Sequence, residues 1–309
     1  MSPAPSILSP YGGIRPPAPD WFATAVACEP ERRWFDNDGT PIELLTWGRV
    51  GAPGLLFLHG NSAHADWWSF IAPFFAETHR CAAISWSGMG RSGWRSRYGV
   101  GVYADEIVQA IGEAGLAASG NPPIVVAHSF GGLPLLHLCV RQPDQVAGAL
   151  LIDTILPPNR PPPSAEARGT SPLYATLADA LARFRFLPSQ DTDFPAIADH
   201  VARHGLHEVS KDEGLQGWTW RFDPELWVKM DRAELTPELR SVTVPTGLIY
   251  GERSQVVSRD RVAHARATLP DCLLAVEVPG AAHHIMADQP LALVASLRLA
   301  IDQLAPSHG

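Results

Sequence analysis

The stretch IVVAHSFGGLPLL, Ile124 to Leu136, decides the fold. β-prone residues run into His128 and Ser129, and two glycines lead out into an apolar run of helical spacing. Ala127 and Gly131 flank Ser129 two positions either side, which satisfies the pattern small-x-Ser-x-Gly. A sharp strand-to-helix turn requires that pattern: its strained backbone crowds the neighbours, and it projects the serine hydroxyl at the carboxyl edge of a sheet. Alanine is small enough to stand where glycine is usual. The next backbone N–H, that of Phe130, then lies at a helix N-terminus, where it can donate to a developing oxyanion. A turn serine capping the following helix would leave the same short pattern.

Outward from this turn, strands and helices alternate. RRWFDNDGTPIELLTWG (32–48) reads as two strands around an Asn37-Asp38-Gly39 turn. GLLFLHG (54–60), RCAAIS (80–85), PIVVAHS (123–129) and VAGALLID (146–153) are short apolar runs, expected as buried strands. ADWWSFIAPFFAE (65–77), VYADEIVQAIGEAGL (102–116) and GGLPLLHLCVRQP (131–143) have helical spacing, the first with a kink at Pro73. TILPPNRPPPSAEARG (154–169) reads as loop. From 171 to 240 the period is helical, with no buried strand run. The alternation resumes with PTGLIYGE (245–252), a helix near 259–269, a strand CLLAVEVPG (272–280) and a helix PLALVASLRLAIDQL (290–304). Such alternation implies a parallel sheet with helices on both faces. The expected organisation is a core of residues 31–155 and 241–309, a helical insertion at 156–240, and a proline-rich extended arm at 1–30.

The formal net charge of −8 argues against general binding to nucleic acid or anionic membrane. No apolar run has the length of a membrane span. The first residues lack the basic start and apolar core of a signal peptide, so a cytoplasmic location is expected. Cys28, Cys81, Cys139 and Cys272 form no CxxC pair and read as free, mostly buried thiols. His200, His204 and His207 have helix-compatible spacing for a metal but no evident carboxylate or cysteine partner, and no metal or cofactor is expected.

The chain resembles α/β-hydrolases with a helical cap. The resemblance rests on LHGNSAHADWW (58–68), SWSGMGRSGWR (85–95), AHSFGG (127–132), LLID (150–153), LIYGE (248–252) and VPGAAHH (278–284), in the family's order from about residue 31 onward. It implies an eight-stranded, mostly parallel sheet and a serine nucleophile at Ser129. It places a histidine base on the loop after the last strand, where His283 is the first of two histidines and His284 is expected to pack nearby. It also implies a second oxyanion donor, the Asn61 backbone N–H, with His59 bracing that loop. Most family members carry the orienting acid after the strand matching LIYGE, and here that position is Ser254. Asp153 is the alternative that some members use. A charge directly after an apolar strand run is not explained by packing, and Glu252 and Asp260 stand in reserve. In SWSGMG, Ser85 replaces a common aspartate.

Trp218, Trp220 and Trp227 in the insertion are candidates to grip an apolar or ring-bearing substrate, and equally to hold the insertion together. The expected activity is hydrolysis of a hydrophobic ester or lactone through an acyl-enzyme. A carbon–carbon bond hydrolase of ring-cleavage products and a hydrolase-like ligand receptor are the alternatives. A homodimer is left open. Aspartate-dependent dehalogenase or epoxide hydrolase chemistry is disfavoured by a serine at the turn.

Overall fold

The short apolar runs assemble into one eight-stranded sheet. The computed structural model describes residues 6–154, 171–211, 215–231 and 239–305; the loop expected at 154–169 lies, beyond Thr154, outside them. In chain order the strands are β1 (Glu31–Asn37), β2 (Thr40–Trp47), β3 (Gly54–Leu58), β4 (Arg80–Ile84), β5 (Ile124–His128) and β6 (Gly148–Ile152). A separate antiparallel pair, β7 (Leu206–Lys211) and β8 (Leu215–Trp220), follows, and β9 (Thr246–Gly251) and β10 (Cys272–Val278) complete the main sheet. The helices are α1 (Asp20–Ala27), α2 (Val100–Glu113), α3 (Gly132–Arg141), α4 (Leu177–Leu181), α5 (Pro195–His204), α6 (Leu226–Lys229), α7 (Arg259–Thr268), α8 (Ile285–Asp288) and α9 (Pro290–Leu304).

The sheet order is β1-β2-β4-β3-β5-β6-β9-β10. β2 runs antiparallel to both β1 and β4, and every pair from β4 to β10 is parallel. Asp38 and Gly39 both take positive φ in the β1–β2 turn, the geometry whose twist matches paired strands. Side chains sort by the two-residue period of a strand. Leu55 and Phe57 face one apolar cluster, and Leu56 and Leu58 face the other. The first cluster is closed by α1, α5 and α9, the second by α2, α3 and α7. This two-sided burial explains why the parallel strands read as unbroken apolar runs rather than as alternating ones.

Three expectations need correction. The N-terminal segment is not an extended arm: α1 buries Phe22 and Ala25 against the first cluster, Leu8 joins them, and Trp21 packs edge-on against Phe194. Burying side chains such as Phe22 and Leu8 stabilises by about 1.5–3 kcal/mol each, which holds the segment down despite its prolines. Residues 65–77 form 3-10 turns at Ala65–Trp67 and Ala72–Phe74, not an α-helix. Pro73 lacks the N–H an α-helix would need, and the backbone bonds instead over three residues, as in Trp68 N–H to Ala65 and Phe75 N–H to Ala72. The insertion contains α4 and α5, but WTWRFDPELWVKM is helical only at Leu226–Lys229. Trp218, Thr219 and Trp220 lie in β8, where Trp218 exchanges backbone hydrogen bonds with Tyr174. Alternating aromatic and β-branched residues suit a pleated, half-buried surface better than a helix.

Cys81 and Cys139 are buried, Cys272 is half-buried, Cys28 is exposed, and all four are free. No helix among the described residues is long and apolar enough to cross a membrane.

Candidate active site

β5 ends at His128, and Ser129 follows with φ of +52°, in the left-handed region. For a residue with a Cβ this costs about 1–2 kcal/mol, and the surroundings hold it there. The turn Ser129–Gly131 leads directly into α3. A Cβ on Gly131 would stand 2.7 Å from the His59 carbonyl oxygen, and one on Gly132 would stand 2.3 Å from Thr154 Cγ2. The two glycines thus let α3 start beside the β3 loop and the end of β6.

Ser129 Oγ lies 3.0 Å from His283 Nε2, and His283 Nδ1 lies 2.7 Å from Asp153 Oδ1. All three residues are buried. Asp153 is a second residue with positive φ, +43°, directly after β6. Its carboxylate also accepts from the Gly251 N–H, 2.9 Å, at the end of β9, and from Ser254 Oγ, 2.6 Å. The carboxylate has no proton to give, so His283 Nδ1 donates to it, and Nε2 is left as the acceptor facing Ser129. Ser254 Oγ itself accepts from the N–H groups of Val256 and Val257, so its one proton is directed at Asp153. The reserve acids lie elsewhere. Glu252 accepts from the Gly280 N–H on an exposed loop, and Asp260 is exposed in the first turn of α7.

The loop after β3 faces the serine. His59 Nδ1 donates to the Gly60 carbonyl, 2.7 Å, and Nε2 accepts from the Trp86 N–H, 3.1 Å. Burial lowers the His59 pKa to about 3, so this brace stays neutral. A Cβ on Gly60 would come within 3.1 Å of Ser129 Cβ, which shows how closely the loop approaches. Gly60, Asn61 and Ser62 line a cavity of about 50 Å³ together with Trp67, His128, Ser129, Leu187, His283 and His284. Phe130 is the middle residue of the turn before α3, and its ring packs edge-on against Tyr103 and Trp227.

The model for the alpha/beta hydrolase family matches residues 55–297, most of the chain and all of the elements that carry this geometry. The chain belongs to the alpha/beta hydrolase family. It is 28% identical over 268 residues to the esterase Rv0045c of Mycobacterium tuberculosis, covering 84% of this chain and 86% of that protein. It is also 28% identical over 285 residues to haloalkane dehalogenase 2 of the same organism, covering 86% and 93%. The solved structure of Rv0045c superposes with a TM-score of 0.68 over 96% of each chain at 23% identity, a likeness of fold. The chain is therefore a hydrolase by family and by its esterase relatives.

Around this alpha/beta hydrolase centre, His128 was not singled out by the sequence as a site residue, while His284 was expected to pack near His283. His128 Nε2 donates to the His283 carbonyl, 3.1 Å, and ties the His283 backbone to the serine turn. His284 Nε2 donates to the Leu187 carbonyl, 3.1 Å, and its backbone N–H donates to Gln190 Oε1, 2.8 Å, so it links the base loop to the insertion. Burial holds the pKa of both imidazoles well below the usual histidine range. Among the described residues, His128, His283 and His284 are the group that could hold a metal ion, with ligand nitrogens within 4.8 Å of one another. His200 and His204, by contrast, engage Ser69 and the backbone of α5.

A larger cavity of about 540 Å³ lies between sheet and insertion, and shares Ser62, Trp67 and Leu187 with the smaller one. Phe184, Val201, Trp220 and Phe222 give it apolar walls. Of the three candidate tryptophans, Trp220 is on this wall. Trp218 packs against the first apolar cluster, and Trp227 packs on Phe130. Trp67, from the sequence motif after β3, lines both cavities.

Proposed function

We propose that this chain is a serine hydrolase that cleaves a carboxylic ester or lactone of a hydrophobic substrate through an acyl-enzyme. The observation that carries the reading is the continuous line Ser129 Oγ–His283 Nε2 and His283 Nδ1–Asp153 Oδ1 at 3.0 and 2.7 Å. In the proposed reaction, Ser129 Oγ attacks the carbonyl carbon and its proton passes to His283 Nε2. Asp153 stabilises the resulting imidazolium and stays ionised. The N–H groups of Phe130 and Asn61 receive the oxyanion. His283 then protonates the leaving alcohol, and a water activated by the same nitrogen hydrolyses the acyl-enzyme and frees Ser129. Residues 31–155 and 241–309 serve as the catalytic core, and residues 156–240 as the cap that closes the apolar cavity.

Among the relatives is a haloalkane dehalogenase, but displacement of a halide to form an alkyl ester needs a carboxylate nucleophile, and position 129 holds a hydroxyl. A second reading is carbon–carbon bond hydrolysis of a ring-cleavage product. Arginines on the wall of the larger cavity favour it, since such a substrate carries a carboxylate. A fluorophosphonate probe tests the nucleophile: wild type should be labelled at Ser129 and Ser129→Ala should not. An unlabelled wild type overturns the assignment. Parallel turnover assays with aryl esters, lactones and a ring-cleavage dienoate separate the two reactions.

A further inference from the structure

The larger cavity is apolar in its walls but not in its charge. Among the described residues Arg183, Arg185 and Arg221 line it, and no aspartate or glutamate does. This composition runs against the chain as a whole, in which 32 acidic residues outnumber 24 basic ones. Arg185 is tied to the carbonyls of Ala182 and Phe184, and Arg183 is exposed at the rim.

Arg221 is the informative one. Its backbone is pinned on both sides, with its N–H donating to Gly205, 2.7 Å, and its carbonyl accepting from Gly90, 2.9 Å. Its Nε donates to the Leu206 carbonyl, 3.1 Å, so the guanidinium is aimed as well as anchored. Yet it makes no ion pair among the described residues, whereas Arg32, Arg95, Arg203 and Arg259 each meet a carboxylate. Burial, and then Arg91, lower its pKa; Glu43 and Asp66 attract it from a distance, but both are already bound by Arg32. A half-buried cation with no ion pair among the described residues is favoured by any ligand that brings negative charge to it.

We propose that the substrate carries a carboxylate at the end remote from its scissile bond, and that Arg221 receives it on the cavity wall. Ser62, Trp67 and Leu187 line both cavities, so the chamber lies directly beside the pocket that holds Ser129. The apolar walls of the chamber, Phe184, Val201, Trp220 and Phe222, suit a hydrocarbon spacer. The substrate class is thus a half-ester of a dicarboxylic acid, with the ester at Ser129 and the free acid at Arg221. Arg221 in this account binds and orients and takes no part in bond making. The inference rests on the serine-esterase reading.

The test compares para-nitrophenyl esters that differ only at the far end of the acyl chain. The mono-adipate and mono-suberate esters end in a carboxylate, and their methyl-capped counterparts are uncharged. Wild type should favour the carboxylate-ended ester of at least one length by about tenfold in kcat/KM, the scale of one charge-assisted hydrogen bond. Arg221→Met should cut that ratio by about tenfold, and Arg221→Lys should keep part of it. Added sodium chloride should weaken the wild-type preference, which keeps the test decisive even if Arg221→Met fails to fold. A wild type with no preference at either length, a preference that survives Arg221→Met, or one indifferent to salt overturns the inference. Failure of the esterase reading shows separately, as absence of Ser129-dependent turnover of the uncharged esters. In that event, tryptophan fluorescence of Ser129→Ala titrated with monomethyl adipate and monomethyl suberate still reads the site. Saturable binding that Arg221→Met abolishes supports it, and no binding overturns it.

Discussion

Ser254 stands where the family resemblance leads one to expect an acid, and its hydroxyl gives its proton to Asp153, the acid proposed in its place. Asp153 accepts from Ser254, the Gly251 N–H and His283 Nδ1. Removing the first should leave the line intact but loosen it. Ser254→Ala is expected to lower kcat by about three- to tenfold with little change in KM, about 0.7–1.4 kcal/mol, since the carboxylate keeps its two other donors and only part of the roughly 1.5–3 kcal/mol of a hydrogen bond to a charged group is lost. Asp153→Asn should cost on the order of 10³–10⁴ in kcat, because an amide at this position no longer fixes the histidine tautomer. The double variant Asp153→Asn with Ser254→Asp returns a carboxylate to the commoner position and should recover part of that loss. If the double variant is no better than Asp153→Asn in steady-state assays, the two strand ends are not interchangeable here. Ser129 and His283 were legible in the sequence because a turn and a histidine pair are local patterns. Asp153 was legible as an unexplained charge after an apolar strand. The role of Ser254 was not, because a serine's partners depend on which strands lie side by side.

The same exchange is seen on another pair of strands. Ser85 follows β4 in place of a common aspartate, and its hydroxyl donates to Glu43 Oε2 on the neighbouring β2 at 2.6 Å. Glu43 Oε2 also accepts the Arg91 N–H, and Ser85 Oγ accepts the Ala65 N–H, so a carboxylate from the adjacent strand braces this loop through the serine. Elements buried on two faces were readable from composition alone, as β3 to β6 and β9 show. Elements whose state depends on what packs over them were not. The 65–77 segment has helical spacing but lost its ladder at Pro73, and β7–β8 pair away from the main sheet, where no long apolar run betrays them. The turn between β5 and α3 belongs to the readable class, and its tolerance is narrow. Gly131→Ala would drive a methyl into the His59 carbonyl, which already accepts from Trp86 Nε1 at 2.9 Å. That shift moves the loop carrying Asn61 away from Ser129. The variant should lose more than tenfold in kcat with a smaller change in KM, as expected when a donor to the transition state is displaced. Steady-state kinetics with an aryl ester, alongside a thermal melt to confirm folding, would check it.

At the scale of the whole molecule, the insertion meets the loop after β3 across a seam of buried and half-buried imidazoles. His64 Nε2 donates to the Val201 carbonyl of α5 at 2.9 Å, and His200 of α5 shares a 2.8 Å hydrogen bond with Ser69. Asp66 accepts from Arg32 and faces His64 and His204, each at 3.7 Å. Burial lowers His64 to about 4 and His200 to about 3. For Asp66, burial works against the charge, but His204, His64 and Arg32 outweigh it and bring the pKa to about 2. In the unfolded chain the imidazoles take up protons near 6.5, and in the fold they do not until pH is near 4 or below. Between those limits the unfolded state binds more protons, so stability falls as pH falls. Glu106 and Asp288, raised by burial to about 7 and about 6, act in the opposite sense, because the fold binds their protons first. Five imidazoles held low, the buried His59, His64, His128 and His284 and the half-buried His200, outnumber these two carboxyls, so the net slope should follow the histidines. Each unit of depression corresponds to about 1.4 kcal/mol, and a loss of several kcal/mol is expected from about pH 6.5 to about pH 4.5. Urea unfolding across that range is the measurement. His64→Gln keeps a donor for Val201 but cannot titrate, so it should be less stable than wild type at neutral pH and lose less on acidification. Parallel pH profiles for the two proteins would place the acid sensitivity outside the seam, and a flat profile in wild type would show that the buried imidazoles are not held neutral by the fold.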